Sequence, residues 1–162
     1  MPLKRSLSKT LSVYTSERFP WICKQGFKKR HQAVVGVGGN IGDVRRRFEH
    51  LFFDIQRDKR VTLRQTSLIL KNPPFGFSEQ EDFLNTIIVI ETSMNAKVFL
   101  EYLMRLEKKF GRKRSFANAP RTLDLDIIFF DNLVMDTDKL TLPHPAWMER
   151  ESVLIPLSGL RL

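Results

Sequence analysis

Ala33 to Val37 is an unbroken apolar run that ends on Gly38, Gly39, Asn40 and Gly42, the pattern of a buried strand closed by a tight turn. Val44, Phe48, Leu51, Phe52 and Ile55 then recur at helical spacing, with Arg45, Arg46, Arg47 and Glu49 on the other faces, which predicts a first helix. A second strand is predicted over Val61 to Leu70, where β-branched residues alternate loosely with polar ones before Asn72, Pro73, Pro74, Phe75 and Gly76 break the pattern. The Ile- and Val-rich stretch Phe83 to Thr92 predicts a third strand. Asn95 to Phe110 carries Phe99, Leu103, Leu106 and Phe110 on one stripe, a second helix stopped by Gly111. Beyond a basic loop, Thr122 to Phe130 reads as a fourth strand, followed by a short extended piece to Leu142 and a helix primed by Pro145. The order βαββαβ with a C-terminal extension predicts an α+β, ferredoxin-like domain, with helices on one face of an antiparallel sheet and the other face free to bind.

Composition adjusts this outline at the N-terminus. The chain of 162 residues is 42% hydrophobic, sufficient for one domain with a single core. Its formal charge is +9, yet residues 1–31 hold Lys4, Arg5, Lys9, Arg18, Lys24, Lys28, Lys29 and Arg30 against Glu17 alone, so most of the excess is local. The expectation is therefore a basic N-terminal extension over 1–32, solvated or loosely docked and dispensable for catalysis, joined to a domain over 33–162. The Ser/Thr-rich, acid-poor character of this arm also resembles an organelle transit sequence. The remainder carries too little net charge to demand a polyanion, so no nucleic-acid partner is expected. Cys23 is the one cysteine, which excludes an intrachain disulfide. No run approaches the length needed to span a bilayer, so the expectation is a cytoplasmic protein without a membrane partner, acting as a monomer.

Chemistry concentrates after the second helix. In Leu123-Asp124-Leu125-Asp126-Ile127-Ile128 the two aspartates fall on one face of a strand while Leu123, Leu125 and Ile127 enter the core. Two converging carboxylates repel unless a cation lies between them, and magnesium prefers carboxylate and phosphate oxygens. Arg112, Arg114 and Arg121 lie in or beside the loop feeding that strand and can offer phosphate bidentate contacts. Gly36 to Gly42 lacks the last glycine of a dinucleotide fingerprint and is read as a turn. His144 is fixed between Pro143 and Pro145.

Together these residues resemble the 6-hydroxymethyl-7,8-dihydropterin pyrophosphokinases. The resemblance rests on Pro120-Arg121-Thr122-Leu123-Asp124-Leu125-Asp126-Ile127, with Gly38-Gly39-Asn40, Asn72-Pro73-Pro74-Phe75-Gly76, Phe83-Leu84-Asn85, Glu107 with Gly111-Arg112-Lys113-Arg114, and Pro143-His144 followed by Arg150. It implies transfer of diphosphate from ATP to the pterin hydroxymethyl group with release of AMP, in folate biosynthesis. It also implies two magnesium ions on Asp124 and Asp126. By the same resemblance Arg112, Arg114, Arg121, His144, Arg150 and Ile127 hold ATP, the first four of them taking part in catalysis. Asn72, Pro73, Pro74, Phe75, Phe83 and Asn85 line the pterin pocket, and the stretches around 42–44, 71–82 and 112–120 close over ATP.

Several positions depart from that pattern. Ala117, Asn118 and Ala119 stand where a basic residue, an aromatic and a glycine are usual, and Met104 replaces a common polar residue on the second helix. Ser152 stands where an aromatic commonly stacks on the pterin, leaving Phe116 or Trp147 as replacement walls opposite Phe83. Two rival readings are another two-metal nucleotidyltransferase, which releases pyrophosphate instead of AMP, and a non-enzymatic RNA-binding module of the same fold class.

Overall fold

A computed structural model describes residues 3–26, 28–74, 79–112 and 120–162. Three strands come first, β1 (Leu3–Ser6), β2 (Ser12–Thr15) and β3 (Trp21–Ile22). The predicted core follows as β4 (His31–Gly39), α1 (Val44–Arg57), β5 (Val61–Thr66), β6 (Ile69–Asn72), β7 (Phe83–Thr92), α2 (Ala96–Lys109) and β8 (Asp124–Phe130). A small ribbon of β9 (Met135–Asp136) and β10 (Thr141–Leu142), a 3₁₀ turn at Trp147–Glu149 and α3 (Glu151–Ser158) complete the described chain.

β7 is the long central strand, antiparallel to β4 along one edge and to β5 and then β6 along the other; β8 pairs with β4 on the far side. Taken as one interrupted strand, β5 and β6 give the ferredoxin-like arrangement and replace the single strand expected over Val61 to Leu70. Ser67 causes the interruption: its backbone N–H donates to the Ile87 carbonyl and its hydroxyl accepts the Ile87 N–H at 2.8 Å.

Local chemistry sets the helices. The Asp43 carboxylate accepts the Arg46 N–H to cap α1, and the Asn95 side chain accepts the Val98 N–H to cap α2. Gly42 (φ 73°) and Gly111 (φ 82°) occupy left-handed backbone before α1 and after α2, where a Cβ would be strained. Both helices lie on one face of the sheet, where Phe48, Leu51, Ile55, Phe99 and Leu103 pack on Val35, Ile88, Ile90, Leu123 and Leu125. The opposite face was expected to be free. Instead α3 covers part of it, packing Val153 and Leu157 near Val34, Ile87, Val89 and Ile128. What stays open is the end of the sheet nearest Gly38, Asn72 and Asp124.

The described residues before β4 are more closely integrated than the solvated or loosely docked extension expected of them. β2 pairs with β6 and β3 with β5, so the arm continues the sheet, and Val13, Tyr14 and Phe19 are buried. Phe19 fills the space beside Phe48 and Phe52, with ring centroids 6.0 and 6.1 Å away. The burial of such residues outweighs the solvation of the surrounding cations, which remain outside.

Candidate active site

β8 carries both aspartates because alternation turns Leu125 and Ile127 into the helix-side core and Asp124 and Asp126 to the other face. Across the pairing with β4, Asp126 sits opposite Gly36 and Asp124 opposite Gly38. Two glycines here let neighbouring chain come close. A Cβ at Gly38 would lie 2.6 Å from the Asn85 side-chain oxygen, and one at Gly39 would lie 2.7 Å from the Thr122 carbonyl. These positions belong to the strand itself, so close approach, more than the turn expected of them, explains their lack of side chain.

The pocket on this face gathers most of the expected residues. Arg121, Asp124, Asp126, His144 and Arg150 lie along one side. Asn72, Phe83 and Asn85 lie along the other, and Ser152 lines the pocket from α3. The Asn85 amide donates to the Asn72 side-chain oxygen at 2.6 Å, which fixes both amides at the pocket wall. Pro73, Pro74, Arg112 and Ile127 stand outside the lining, the Ile127 side chain being buried in the helix-side core. Phe75, Arg114 and Phe116 lie outside the described residues. Trp147 packs edge-on against Phe129 at 4.9 Å and is not among the residues lining the pocket.

Arginines converge on Asp124 as the loop composition suggests. Arg121 donates to one carboxylate oxygen at 3.1 Å and Arg112 to the other. Arg112 also donates to Glu107 at 2.6 Å, and that carboxylate accepts the Leu125 N–H at 2.8 Å, so one buried acid on α2 anchors both the arginine and the aspartate strand. Burial alone would lower the Arg112 pKa; the charges of Asp124 and Glu107 outweigh it and hold the group above its usual value. The Arg112 Nε is buried without a partner among the described residues.

Asp126 is pushed up to about 7, first by burial and then by the negative charges of Asp124 and Glu107. His144 is moved the other way from a histidine's ordinary value, lowered by burial and then by Arg150. Its Nδ1 accepts the Ala146 N–H at 3.2 Å, so the neutral ring carries its proton on Nε2. Its backbone N–H donates to the Ile128 carbonyl at 2.9 Å and pins this segment to β8.

Asn40, read in the sequence as part of a turn and of the Gly38-Gly39-Asn40 motif, supports the site from behind the pocket lining. Buried at 6% exposure, it accepts the Arg121 N–H at 2.8 Å and donates to Gln80 and to the Glu81 carbonyl at 2.8 and 2.9 Å. It thus ties the strand carrying Asp124 to the segment leading into β7. The available signal was a polar residue directly after a buried strand, where an unsatisfied amide would be costly.

A donor set of two carboxylates on one strand face, one holding its proton because of burial and the neighbouring acids, fits a hard divalent cation. The flanking arginines and the Nε2–H of His144 fit an anionic substrate beside it. Comparison with known proteins identifies the family. Residues 34–161 match the family described as 7,8-dihydro-6-hydroxymethylpterin-pyrophosphokinase. The chain is 41% identical over 142 residues to the 2-amino-4-hydroxy-6-hydroxymethyldihydropteridine pyrophosphokinase of Campylobacter jejuni, covering 88% of this chain and 90% of the relative. It is 36% identical over 148 residues to the Helicobacter pylori protein of the same name, covering 90% and 91%. Against the protein of that name from Bacillus subtilis it is 36% identical over 126 residues, covering 78% and 75%. The chain belongs to the 7,8-dihydro-6-hydroxymethylpterin-pyrophosphokinase family.

Proposed function

We propose a division of labour within this ATP-dependent pyrophosphokinase of folate biosynthesis, in which the β8 side of the pocket holds nucleotide and cations and the β6–β7 side holds the pterin. The observation that carries it is the placement of Asp124, Asp126, Arg121 and His144 along one wall and Asn72, Phe83 and Asn85 along the other. In this reading the hydroxymethyl oxygen bonds to the β-phosphorus of ATP and loses its proton to solvent, while the bond from the β-phosphorus to the bridging oxygen breaks and AMP leaves with that oxygen. Attack by a neutral alcohol depends on alignment and charge neutralisation more than on a strong base.

Asp124 and Asp126 would hold two magnesium ions, which when bound neutralise and align the phosphate oxygens. The protein's own groups do the rest. Arg121 and Arg112, which here engage Asp124, exchange it for phosphate oxygens as the triphosphate enters, and this releases Asp124 for its cation. Glu107 retains a second hold on Arg112, so the arginine has a fixed pivot during the exchange. Arg114, Arg150 and the Nε2–H of His144 complete the triphosphate cradle, and the Ile127 backbone is the part of that residue within reach of ATP. The Asn72–Asn85 pair offers paired amide donors and acceptors to the pterin edge, Phe83 offers a ring face, and Pro73, Pro74 and Phe75 extend that wall.

Counting bound manganese tests the metal assignment. With a non-hydrolysable ATP analogue, the protein is expected to bind two Mn²⁺ per chain, and Asp126→Asn to bind at least one fewer while staying folded. One ion in the wild-type chain, or two in the variant, would overturn it.

A further inference from the structure

We propose that the N-terminal strands are a working part of the pterin wall, with Tyr14 acting as a positioning residue for Asn72. The inference rests on the pyrophosphokinase reading above.

β6 is only four residues long, is severed from β5 at Ser67–Leu68, and is held by β7 through Leu70, Lys71 and Asn72 alone. Its other edge would be bare backbone at the rim of the pocket. β2 closes that edge, pairing Ser12 with Lys71, Val13 with Leu70 and Tyr14 with Ile69. Side-chain packing locks the same strand from the helix side. Tyr14 is 8% exposed in the core that holds Ile69, and the Arg45 guanidinium lies 3.9 Å above its ring. The Ser16 hydroxyl donates to Glu49 at 3.1 Å, a second tie to α1 just beyond the end of β2.

Asn72 is the last residue of the strand braced in this way, and its amide oxygen is one half of the pair with Asn85. The nucleotide side is remote in the sheet order, since β7 and β4 separate β6 from β8. Loosening β2 therefore disturbs the pterin wall before it reaches Asp124. A match over 142 residues is longer than the segment from residue 34 to the last residue, so the likeness to the Campylobacter jejuni protein reaches back at least to β3, although the family match begins at residue 34.

The test compares the wild-type chain, Tyr14→Ala, a chain lacking residues 1–16, and Leu3→Ser at the exposed outer strand. Steady-state KM is measured separately for the pterin alcohol and for ATP, and pterin binding is titrated directly with Mg²⁺ and a non-hydrolysable ATP analogue. Loss of a positioning contact is expected to weaken pterin about tenfold in Tyr14→Ala and at least as much in the truncated chain, with KM for ATP within about twofold of wild type. Leu3→Ser is expected to match wild type. Unchanged pterin affinity in Tyr14→Ala, or equal weakening of ATP and pterin, would overturn the proposal. Tyr14→Ala decides the matter if the truncated chain does not fold. Failure of the pyrophosphokinase reading itself has a different signature, namely no pterin binding by the wild-type chain.

Discussion

Asp126 is placed where its charge is costly, and this gives the site a measurable signature. Its carboxyl is raised from 3.8 to about 7 by burial and by Asp124 and Glu107. An acid that holds its proton more tightly in the fold than in the unfolded chain contributes its stability fully below about 3.8 and loses it as pH rises through about 7. In the absence of divalent cations, the melting temperature of the wild-type chain relative to Asp126→Asn is therefore expected to fall as pH rises from about 4 to about 8. A relative stability independent of pH would contradict the burial of this carboxyl. At this scale the sequence was most legible for residues whose pattern had one physical solution, such as the alternation that turns Asp124 and Asp126 together. The same alternation turned Ile127 into the core as read, while Trp147, which packs on Phe129, was least legible because its destination depends on what lies across the sheet.

Among elements, α2 and β8 are joined through one buried acid. Glu107 accepts hydrogen bonds from the Leu125 N–H and from Arg112, so the helix positions the strand that holds the aspartates. Removing it takes the Glu107 acceptor from the buried Leu125 N–H and leaves the Arg112 guanidinium with Asp124 as its remaining carboxylate. Glu107→Ala is expected to destabilise the chain by about 3 kcal/mol, lowering Tm by roughly 10 °C, with Glu107→Gln losing less. Denaturant unfolding of both variants checks this, and a loss below about 1 kcal/mol for the alanine would show that the link is dispensable. Helices α1 and α2 were readable from their apolar spacing, to which Gly111 added a clear stop for α2. The break between β5 and β6 was not, because it depends on Ser67 bonding to Ile87 twenty residues away. β8 begins two residues later than expected, at Asp124, as Thr122 instead turns its carbonyl toward Gly39 and Arg47.

The whole molecule differs from the sequence reading chiefly in its N-terminal strands. Counting charge drew attention to the cations of this segment and away from Val13, Tyr14, Phe19 and Trp21, whose β-forming and aromatic character was the available cue. Strands of two to four residues give too short a pattern to be recognised before their partners β5 and β6 are known. Family membership and the four-stranded core, by contrast, followed from motifs spread along residues 34–161, each tied to a local shape. Among the described residues no helix is long and apolar enough to cross a membrane.

The central claim is that the pocket joins a pterin alcohol to the β-phosphate of ATP, and the identity of the nucleotide product is its most direct test. Phosphorus NMR of a mixture of the full chain, ATP, Mg²⁺ and 6-hydroxymethyl-7,8-dihydropterin is expected to show AMP and the pterin diphosphate appearing in equal amounts. Asp124→Ala and Asp126→Ala are each expected to slow that reaction by at least about a thousandfold. Formation of ADP or free pyrophosphate in place of AMP, or full activity in either variant, would contradict the account.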